Sequence, residues 1–246
     1  MNILNEIAEK RLEDVKAVQA ANKFPFYENL KRPGMNFICE VKKASPSKGL
    51  IAPDFPYLEI AKAYADAGAA AISVLTEPHY FQGSTEYLKE IAAAVDVPVL
   101  RKDFIVDESM IVEAKEIGAS AVLLIVALLS REKLSAYLSL AHSLGLSALV
   151  EAHDEEEVKI AVESGAKIIG VNNRDLRDFT VDFNNSIRLR NLVVDPDVIF
   201  VSESGIKTAE DIKTLHDNNI SAVLIGETLM RAADKKAELD ELRRLV

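Results

Sequence analysis

One pattern recurs eight times along this chain: a short aliphatic or β-branched run, a polar loop, and an amphipathic helical segment. The runs cover residues 37–42, 70–75, 97–102, 119–126, 147–152, 167–171, 198–201 and 222–225. The predicted helices cover residues 57–67, 84–94, 107–117, 131–144, 154–164, 184–192, 208–217 and 234–245. Strands that alternate with helices form a parallel sheet, because each helix carries the chain back to the end where the next strand begins.

The junctions between the helices and the following runs resemble one another. Gly68, Gly118, Gly145 and Gly165 each stand where a helix ends and needs a residue in the left-handed conformation. The runs are continuously apolar, which is typical of strands covered on both faces. Eight such units in 246 residues predict an α/β fold, a (β/α)8 TIM barrel. The alternative, a doubly wound open sheet, is less favoured because no GxGxxG follows the first run.

The first 35 residues are predicted to be an extra amino-terminal helical extension of a single barrel domain that spans residues 1–246. A helix is expected over residues 3–21, where aliphatic side chains recur at approximately helical spacing. Residues 23–36 contain two prolines and a glycine, so they are predicted to form a connector.

Composition indicates which partners and which cellular compartment to expect for this chain. A net charge of −10 argues against non-specific binding to nucleic acid or to anionic membranes. The apolar runs are too short to span a bilayer, and the amino-terminal segment is too charged for a secretory signal. The single cysteine, Cys39, lies within an apolar run, which favours a buried structural thiol and a reducing compartment. We therefore expect a soluble, cytoplasmic protein with no nucleic-acid or membrane partner. A monomer is also expected, although composition does not bear on it.

The stretch FICEVKKASPSKG, residues 37–49, is the first candidate for chemistry. Side chains alternate along a strand, so Ile38, Glu40 and Lys42 are predicted to share one face. An acid and a base on a face that is otherwise apolar are costly to bury unless they pair or act. The following loop, 43–49, is rich in small, polar and turn-forming residues and is expected to be mobile.

Polar residues follow most of the other runs, where a barrel enzyme forms its site at the carboxyl ends of the strands. The residues at these ends are Glu40, Lys42, Thr76, Glu77, Arg101, Lys102, Asp103, Glu151, Asn172, Asn173, Ser202, Glu203, Ser204, Gly226 and Glu227. One of them alone could be an exposed charge that ends a strand. The whole set on one rim indicates a site.

The last two loops, SESGI and IGETLM, indicate a phosphate site. Small residues such as Ser204, Gly205 and Gly226 let backbone N–H groups face an anion, and a short helix starting near Glu227 would add its dipole. We expect the backbone of Glu227 to face the phosphate, its carboxylate to point away, and Lys42 to help neutralise the phosphate. The alternative is that the glycines only shape tight turns.

An apolar wall is predicted beside these groups. Its members are Phe81, Phe104, Leu123 and Leu176, which would suit a flat aromatic substrate or would simply pack the rim. The four histidines show no metal-ligand spacing, and GxSxG and Walker A motifs are absent from the sequence. We expect no metal and no organic cofactor.

Seven segments in order resemble the indole-3-glycerol phosphate synthase family: CEVKKASPSKG, LTEPHYFQGS, LRKDFIVD, ALVEAH, GVNNRDL, VSESGI and LIGETLMR. The resemblance runs from about Lys31 to Arg231. It implies closure of an indole ring, with loss of carbon dioxide and water, on 1-(2-carboxyphenylamino)-1-deoxyribulose 5-phosphate. This small phosphorylated aromatic amino-sugar would be the only partner implied. Two positions depart from the family pattern: Lys43 replaces an arginine, and Glu227 replaces a serine.

The resemblance also implies roles for individual residues. Lys102 would be the general acid, and Lys42 would contact the phosphate or carboxylate and serve the dehydration. Glu40 and Glu151 would stabilise the cationic intermediate, and one of the two would take part in removing a proton. Substrate-binding positions implied in this way, together with the apolar wall, are Ser45, Phe81, Phe104, Leu123, Asn172, Arg174, Leu176, Glu203 and Ser204. The phosphate positions are Lys42, Ser204, Gly205, Gly226 and Glu227. Loop 43–49 would close over the phosphate.

Three alternatives remain at the level of sequence. An isomerase of phosphosugars usually needs a Cys or Asp acid–base pair at the strand ends, yet Cys39 is predicted to face away from Glu40. A Schiff-base aldolase would use Lys102 or Lys42 as its nucleophile. A non-catalytic assembly module would have no need for two lysines and two glutamates on one rim.

Overall fold

Eight parallel strands close into a barrel in the computed structural model, which describes residues 10, 25–175 and 178–246. The strands are β1 (Asn36–Val41), β2 (Ala71–Leu75), β3 (Val99–Lys102), β4 (Ala121–Ile125), β5 (Ser147–Ala152), β6 (Ile168–Asn172), β7 (Ile199–Glu203) and β8 (Ala222–Ile225). Each strand pairs with its sequence neighbours, and β1 closes the ring by pairing with both β2 and β8. The predicted (β/α)8 barrel is confirmed.

Eight helices follow the strands on the outside of the barrel. They are α1 (Tyr57–Asp66), α2 (Thr85–Ala94), α3 (Glu108–Glu116), α4 (Arg131–Ser143), α5 (Glu155–Glu163), α6 (Asn184–Arg190), α7 (Ala209–Asp217) and α8 (Lys235–Arg243). Six of them begin at a Ser, Thr or Asp whose side chain accepts a backbone N–H of the first turn. The glycines at the helix-to-strand junctions have φ between 73° and 90°, as predicted.

Strand alternation separates two apolar layers. One set of side chains, exemplified by Ile38, Leu100 and Leu149, fills the inside of the barrel. The other set, which includes Cys39, packs between the strands and the surrounding helices. Cys39 is fully buried there, and burial raises the pKa of its thiol to about 12. The predicted structural role of this thiol agrees with its position.

The amino-terminal end of the barrel is filled by a short helix, Pro25–Leu30, whose Phe26 and Leu30 join the inner apolar layer. The connector predicted over residues 23–36 is therefore wrong over this helix, because proline is well tolerated at the first helical position. The helix predicted over 3–21 lies, apart from Lys10, outside the described residues. With this end filled, the carboxyl ends of the strands are the open face of the barrel.

Two short elements lie at the open end, and the sequence analysis predicted the second of them. Ala44–Ser45 and Gly49–Leu50 form an antiparallel hairpin within the loop after β1. A five-residue helix, Glu227–Arg231, starts directly after β8, as the phosphate-site argument predicted. Among the described residues, no helix combines the length and apolarity needed to cross a membrane.

Candidate active site

Four charged side chains continue the inward-facing rows of the barrel at its open end. Glu40 follows Ile38, Lys102 follows Leu100, Glu151 follows Leu149, and Glu203 follows Val201, each by two residues. The period of two in a strand puts each of these charges above an apolar residue of the inner layer. All three carboxylates are at least 97% buried. A buried charged cluster of this kind requires internal neutralisation.

Lys102 stands between two of the carboxylates. Its Nζ lies 3.4 Å from Oε2 of Glu151 and 3.4 Å from Oε2 of Glu203. Burial by itself would lower the pKa of Lys102, but the carboxylates of Glu203, Glu151 and Glu40 outweigh it and raise the pKa well above its ordinary value. Lys102 is therefore an ammonium, able to donate a hydrogen bond and a proton.

Glu40 and Lys42 form a second pair on the same face, with Nζ 2.5 Å from Oε1. Burial favours the neutral form of Glu40, but Lys42 and Lys102 together lower its pKa below the ordinary value. Ser73 on the neighbouring strand donates to Oε2 at 3.4 Å. The predicted common face of Ile38, Glu40 and Lys42 is confirmed.

Glu151 and Glu203 differ in protonation although they share Lys102. Burial disfavours the ionised form of Glu151, yet Lys102 and His153 hold its pKa at about 2, and Asn172 donates to its Oε1 at 3.2 Å. Burial also raises the pKa of Glu203. Lys102 offsets this only in part, because the negative charges of Glu151 and Glu40 oppose ionisation of Glu203, and its pKa is about 7. The pair therefore combines a carboxylate with a carboxyl that can hold a proton near neutral pH.

Two glycines make room for this cluster. A Cβ on Gly170 would lie 2.3 Å from Oε1 of Glu203, and a Cβ on Gly226 would lie 2.5 Å from Oε1 of Glu40. Gly226 was predicted as part of a phosphate cradle. Its close approach to Glu40 is a second reason why a glycine is needed at this position. Gly170 was missed by the sequence argument, although a glycine inside an apolar strand is a signal of close approach.

The loops after β7 and β8 form a corner beside this cluster. Ser204 and Gly205 are consecutive residues with positive φ, 68° and 87°. Thr228 donates to the carbonyl of Ile206 at 2.9 Å, which ties the two loops together. Asn173 donates to the carbonyl of Ser204 at 3.1 Å and so supports its left-handed conformation. Such turns, next to the start of a helix, leave backbone N–H groups available to an anion.

The carboxylate of Glu227 is engaged by two cations at this corner. Its Oε1 lies 3.0 Å from Nε of Arg231 and 3.6 Å from Nζ of Lys48. Lys48 belongs to the turn of the hairpin after β1, so the loop predicted to close over the phosphate already lies against this corner.

The comparisons with known proteins agree with one another. A sequence model described as indole-3-glycerol phosphate synthase matches residues 2–242. The indole-3-glycerol phosphate synthase of Ruminiclostridium cellulolyticum is 59% identical over 230 residues, covering 93% of this chain and 88% of that protein. The enzyme of the same name from Leuconostoc mesenteroides is 51% identical, with 98% and 94% coverage.

The chain belongs to the indole-3-glycerol phosphate synthase family. Membership makes it a carboxy-lyase of tryptophan biosynthesis, in agreement with the motifs of the sequence. The phosphosugar isomerase, the aldolase and the non-catalytic module are correspondingly set aside.

Solved structures with low sequence identity share the barrel. Thiamine phosphate pyrophosphorylase from Pyrococcus furiosus superposes with a TM-score of 0.64 at 16% identity, covering 89% of this chain and 96% of that chain. A tryptophan synthase α-subunit mutant from the same organism also gives 0.64, at 14% identity, covering 84% and 97%. These similarities concern the fold alone.

The other predicted binding residues, where the structure describes them, have the following surroundings. The rings of Phe81 and Phe104 contact each other with centroids 6.0 Å apart, and Leu123 is buried in the inner layer. Arg174 donates its backbone N–H to Asn172 at 3.1 Å and its guanidinium to the carbonyl of Phe179. Ser45 is buried in the hairpin. Leu176 lies outside the described residues.

Several rim residues serve the loops and do not join the cluster. Arg101 is buried on the outward face, where it donates to Glu113 at 2.7 Å and to Asp103 at 3.3 Å. Glu77 accepts the backbone N–H groups of three residues, 79 to 81, and thereby shapes the loop that carries Phe81. These residues were predicted to share one rim with the charged cluster because they also follow strand ends. Strand alternation instead turns every second side chain outward.

Sequence reasoning missed His153, which contacts Glu151, because a lone histidine without ligand spacing carried no signal. Within the described ranges, no group of three or more His, Cys, Asp and Glu side chains is arranged to hold a metal ion.

Proposed function

We propose that this site converts 1-(2-carboxyphenylamino)-1-deoxyribulose 5-phosphate into indole-3-glycerol phosphate, carbon dioxide and water, with Lys102 as the general acid. The observation that carries the proposal is the Lys102 ammonium held 3.4 Å from both Glu151 and Glu203 at the open end of the barrel. The family membership supplies the substrate, and the charged cluster supplies the groups that its chemistry needs.

In the first step, the ring carbon that bears the carboxylate attacks the substrate carbonyl, and the carbonyl oxygen takes a proton from Lys102. A preorganised ammonium in a buried site stabilises the developing oxyanion and then neutralises it. The attack leaves a cationic iminium, which the carboxylates of Glu40 and Glu151 stabilise. Loss of carbon dioxide returns the bonding electrons to the ring and restores its aromaticity.

In the second step, the new hydroxyl leaves as water after protonation, with Lys42 as the acid nearest to Glu40. Loss of a ring proton to a carboxylate, Glu40 or Glu151, completes the indole. The phosphate is bound by the backbone of Ser204, Gly205, Gly226 and Glu227 with help from Lys42, while Phe81 and Phe104 contact the aromatic ring.

A Schiff-base mechanism is disfavoured by the charge on Lys102. A nucleophilic lysine must be a neutral amine, and its pKa is then usually lowered by burial or by a neighbouring cation. The pKa of Lys102 is raised, because burial is outweighed by Glu203, Glu151 and Glu40. Borohydride added with substrate should leave the intact mass of the protein unchanged.

The test is a fluorescence assay of indole formation with the purified chain and its Lys102→Ala variant. We expect the variant to lose at least about a hundredfold in kcat, the usual contribution of a general acid. Lys115→Ala, at the end of α3, is the matched control and should keep the wild-type rate. Turnover by Lys102→Ala at the wild-type rate would remove Lys102 from the mechanism, and no indole from the wild-type chain would refute the substrate.

The proposed enzyme acts without metal or organic cofactor, as a cytoplasmic monomer that binds neither nucleic acid nor membrane. Ring closure, the proton transfers and the loss of carbon dioxide and water are all steps that the described side chains can serve. Full activity after exhaustive dialysis against a chelator, and a single species of monomer mass in sedimentation equilibrium, are the expected results.

A further inference from the structure

His153 lies directly after β5, between two carboxylates. Its Nε2 is 3.3 Å from Oε1 of Glu151, and its Nδ1 is 2.9 Å from Oε2 of Glu157 on α5. The side chain is 20% exposed, so most of the ring is shielded from water. A histidine that bridges an inward-facing carboxylate and a helix is well placed to act on the site through that carboxylate.

The ring is fixed from its far side. Oε2 of Glu157 accepts both the backbone N–H and the ring Nδ1 of His153, at 2.8 and 2.9 Å. Asn185 on α6 donates to the carbonyl of His153 at 2.9 Å, and Arg188 in turn donates to Asn185 at 2.7 Å. Two helices therefore hold the backbone of His153, and one of them, through Glu157, also holds the imidazole.

The contacts also determine its protonation. Nδ1 faces a carboxylate acceptor and must carry a proton there. Nε2 is buried and forms no aligned hydrogen bond with the described residues, but it faces the carboxylate of Glu151 in an ion-pair contact. An unprotonated nitrogen would repel that oxygen, whereas an N–H attracts it. The ring is therefore stable in this position only as an imidazolium.

The structure assigns to His153 the role of a positioning residue that holds the Glu151 carboxylate in place and supplies it with a second positive charge, while Glu157 fixes the imidazole. This inference rests on the proposed role of Glu151 in stabilising the intermediate. Oε2 of Glu151 then faces Lys102, and Oε1 faces Asn172 and His153. A carboxylate held at both oxygens presents one orientation to the substrate.

The charged groups around His153 support this assignment. Burial lowers the pKa of the imidazole, but its contacts with the carboxylates of Glu151 and Glu157 outweigh burial and raise the pKa to about 10. Of the nearby cations, Arg188 bonds to Asn185, which itself bonds to the His153 carbonyl, and Lys102 contacts the other oxygen of Glu151. The imidazole is therefore held as an imidazolium at neutral pH.

The first test measures the ring itself by nitrogen-15 NMR of the wild-type chain and of Glu157→Gln. Both ring nitrogens of His153 should be protonated at pH 8 in the wild type, and the pKa should fall by about one unit or more in Glu157→Gln, because an opposite charge is lost. A His153 ring that is neutral at pH 7 in the wild type would overturn the assignment whatever the kinetics show.

The second test separates kcat from KM. In His153→Gln, kcat should fall roughly tenfold, equivalent to about one pKa unit of lost electrostatic support, while KM changes less than twofold. His216→Gln, on the solvent side of α7, is the matched control and should match the wild type. Should His153→Gln fail to fold, Glu157→Gln must show the same loss in kcat, and a wild-type kcat in the folded variant contradicts the inference.

Glu151→Gln distinguishes a failure of this inference from a failure of the proposed function. Wild-type turnover by Glu151→Gln would overturn the proposed role of that carboxylate, and the inference with it. Loss of turnover in Glu151→Gln together with a wild-type kcat in His153→Gln would overturn the positioning role alone.

Discussion

At the residue scale, the site depends on unequal protonation of neighbouring carboxyls. Glu151 and Glu203 lie at the same distance from Lys102, yet the pKa of one is about 2 and that of the other about 7. The difference arises because His153 and Asn172 add support to Glu151, whereas Oε1 of Glu203 lies over Gly170 and has no hydrogen-bond partner among the described residues. Burial then favours the neutral form of Glu203.

Because its pKa is raised, Glu203 should make the stability of the protein depend on pH. Between the ordinary carboxyl pKa and about 7, the folded state holds a proton that the unfolded state has released, so this group lowers stability as the pH rises through that range. Glu203→Gln removes the dependence. The free energy of unfolding of the variant minus that of the wild type should increase by roughly 1–3 kcal/mol between pH 5 and pH 8.

Urea unfolding of the two proteins at pH 5 and pH 8 measures this difference. A difference between variant and wild type that stays constant with pH would show that Glu203 titrates at its ordinary value. The matched control is Glu163→Gln, an exposed residue at the end of α5.

A second prediction at this scale concerns the glycine beside the Glu40–Lys42 pair. In Gly226→Ala, the new methyl group would lie 2.5 Å from Glu40 and 2.8 Å from Nζ of Lys42, so the pair must move. The φ of Gly226 is −112°, which alanine adopts without strain, so the protein should fold. We expect kcat/KM to fall at least about tenfold, since displacements of this order disturb substrate orientation. A folded variant with wild-type kcat/KM would contradict this packing argument.

At the element scale, the short helix Glu227–Arg231 and the hairpin after β1 meet at the corner formed by the loops after β7 and β8. Their link is the contact between Glu227 and Lys48, which are far apart in sequence. Burial favours the neutral form of Glu227, but Arg231 and Lys48 lower its pKa, so it is ionised near neutral pH. The corner therefore carries an ionised carboxylate that contacts two cations.

Glu227→Ser should bind inorganic phosphate more tightly, because it removes this charge and leaves Lys48 free to approach the anion. An exposed charge interaction of this kind contributes about 0.3–1 kcal/mol, so the dissociation constant should fall roughly two- to fivefold. Isothermal titration with phosphate at low salt measures the effect, with Glu210→Ser on α7 as the control. Weaker binding by Glu227→Ser would mean that the carboxylate holds Lys48 where the ligand needs it.

A further element-scale prediction concerns the closure of the outer helical ring. Arg243 of α8 donates to the carbonyls of Ala67 and Gly68, at 2.6 and 2.7 Å, and lies over the ring of Phe37. It thereby satisfies the carbonyl end of α1 and joins the last helix to the first. Arg243→Met keeps much of the apolar contact but removes both hydrogen bonds.

We expect Arg243→Met to lower the free energy of unfolding by about 1–3 kcal/mol, as for hydrogen bonds from a charged donor. Urea unfolding measures the loss, and Arg131→Met on the exposed start of α4 is the matched control. Equal stability of the two variants would show that water replaces the guanidinium at no cost.

At the scale of the whole molecule, β1 and β8 pair with each other, so sequence-distant parts of the barrel share one sheet. The inner layer and the outer layer both run around the full ring. Unfolding of one strand would expose the edges of two others, which couples their stabilities.

The single-domain organisation over residues 1–246 stays a prediction, and it has a direct test. Unfolding in urea should follow one transition, with the same midpoint by far-UV circular dichroism and by tyrosine fluorescence, because the chain contains no tryptophan. Two separated transitions would indicate that part of the chain folds independently.

The sequence by itself determined the barrel and the faces of its strands, because periodicity and helix-ending glycines are local signals. From alternation alone, Glu40 follows Ile38 inward and Cys39 packs outward. These features need only the geometry of one strand or one helix.

Tertiary structure alone decided how the charges share protons and which rim residues take part. Lys102, Glu151 and Glu203 meet across three strands, and their pKa values depend on shared burial and on groups such as His153 that no motif indicates. The outward turn of Arg101 and the space over Gly170 are likewise invisible until the strands are paired. Electrostatic interactions act through space, so residues that are distant in sequence set the chemistry of this site.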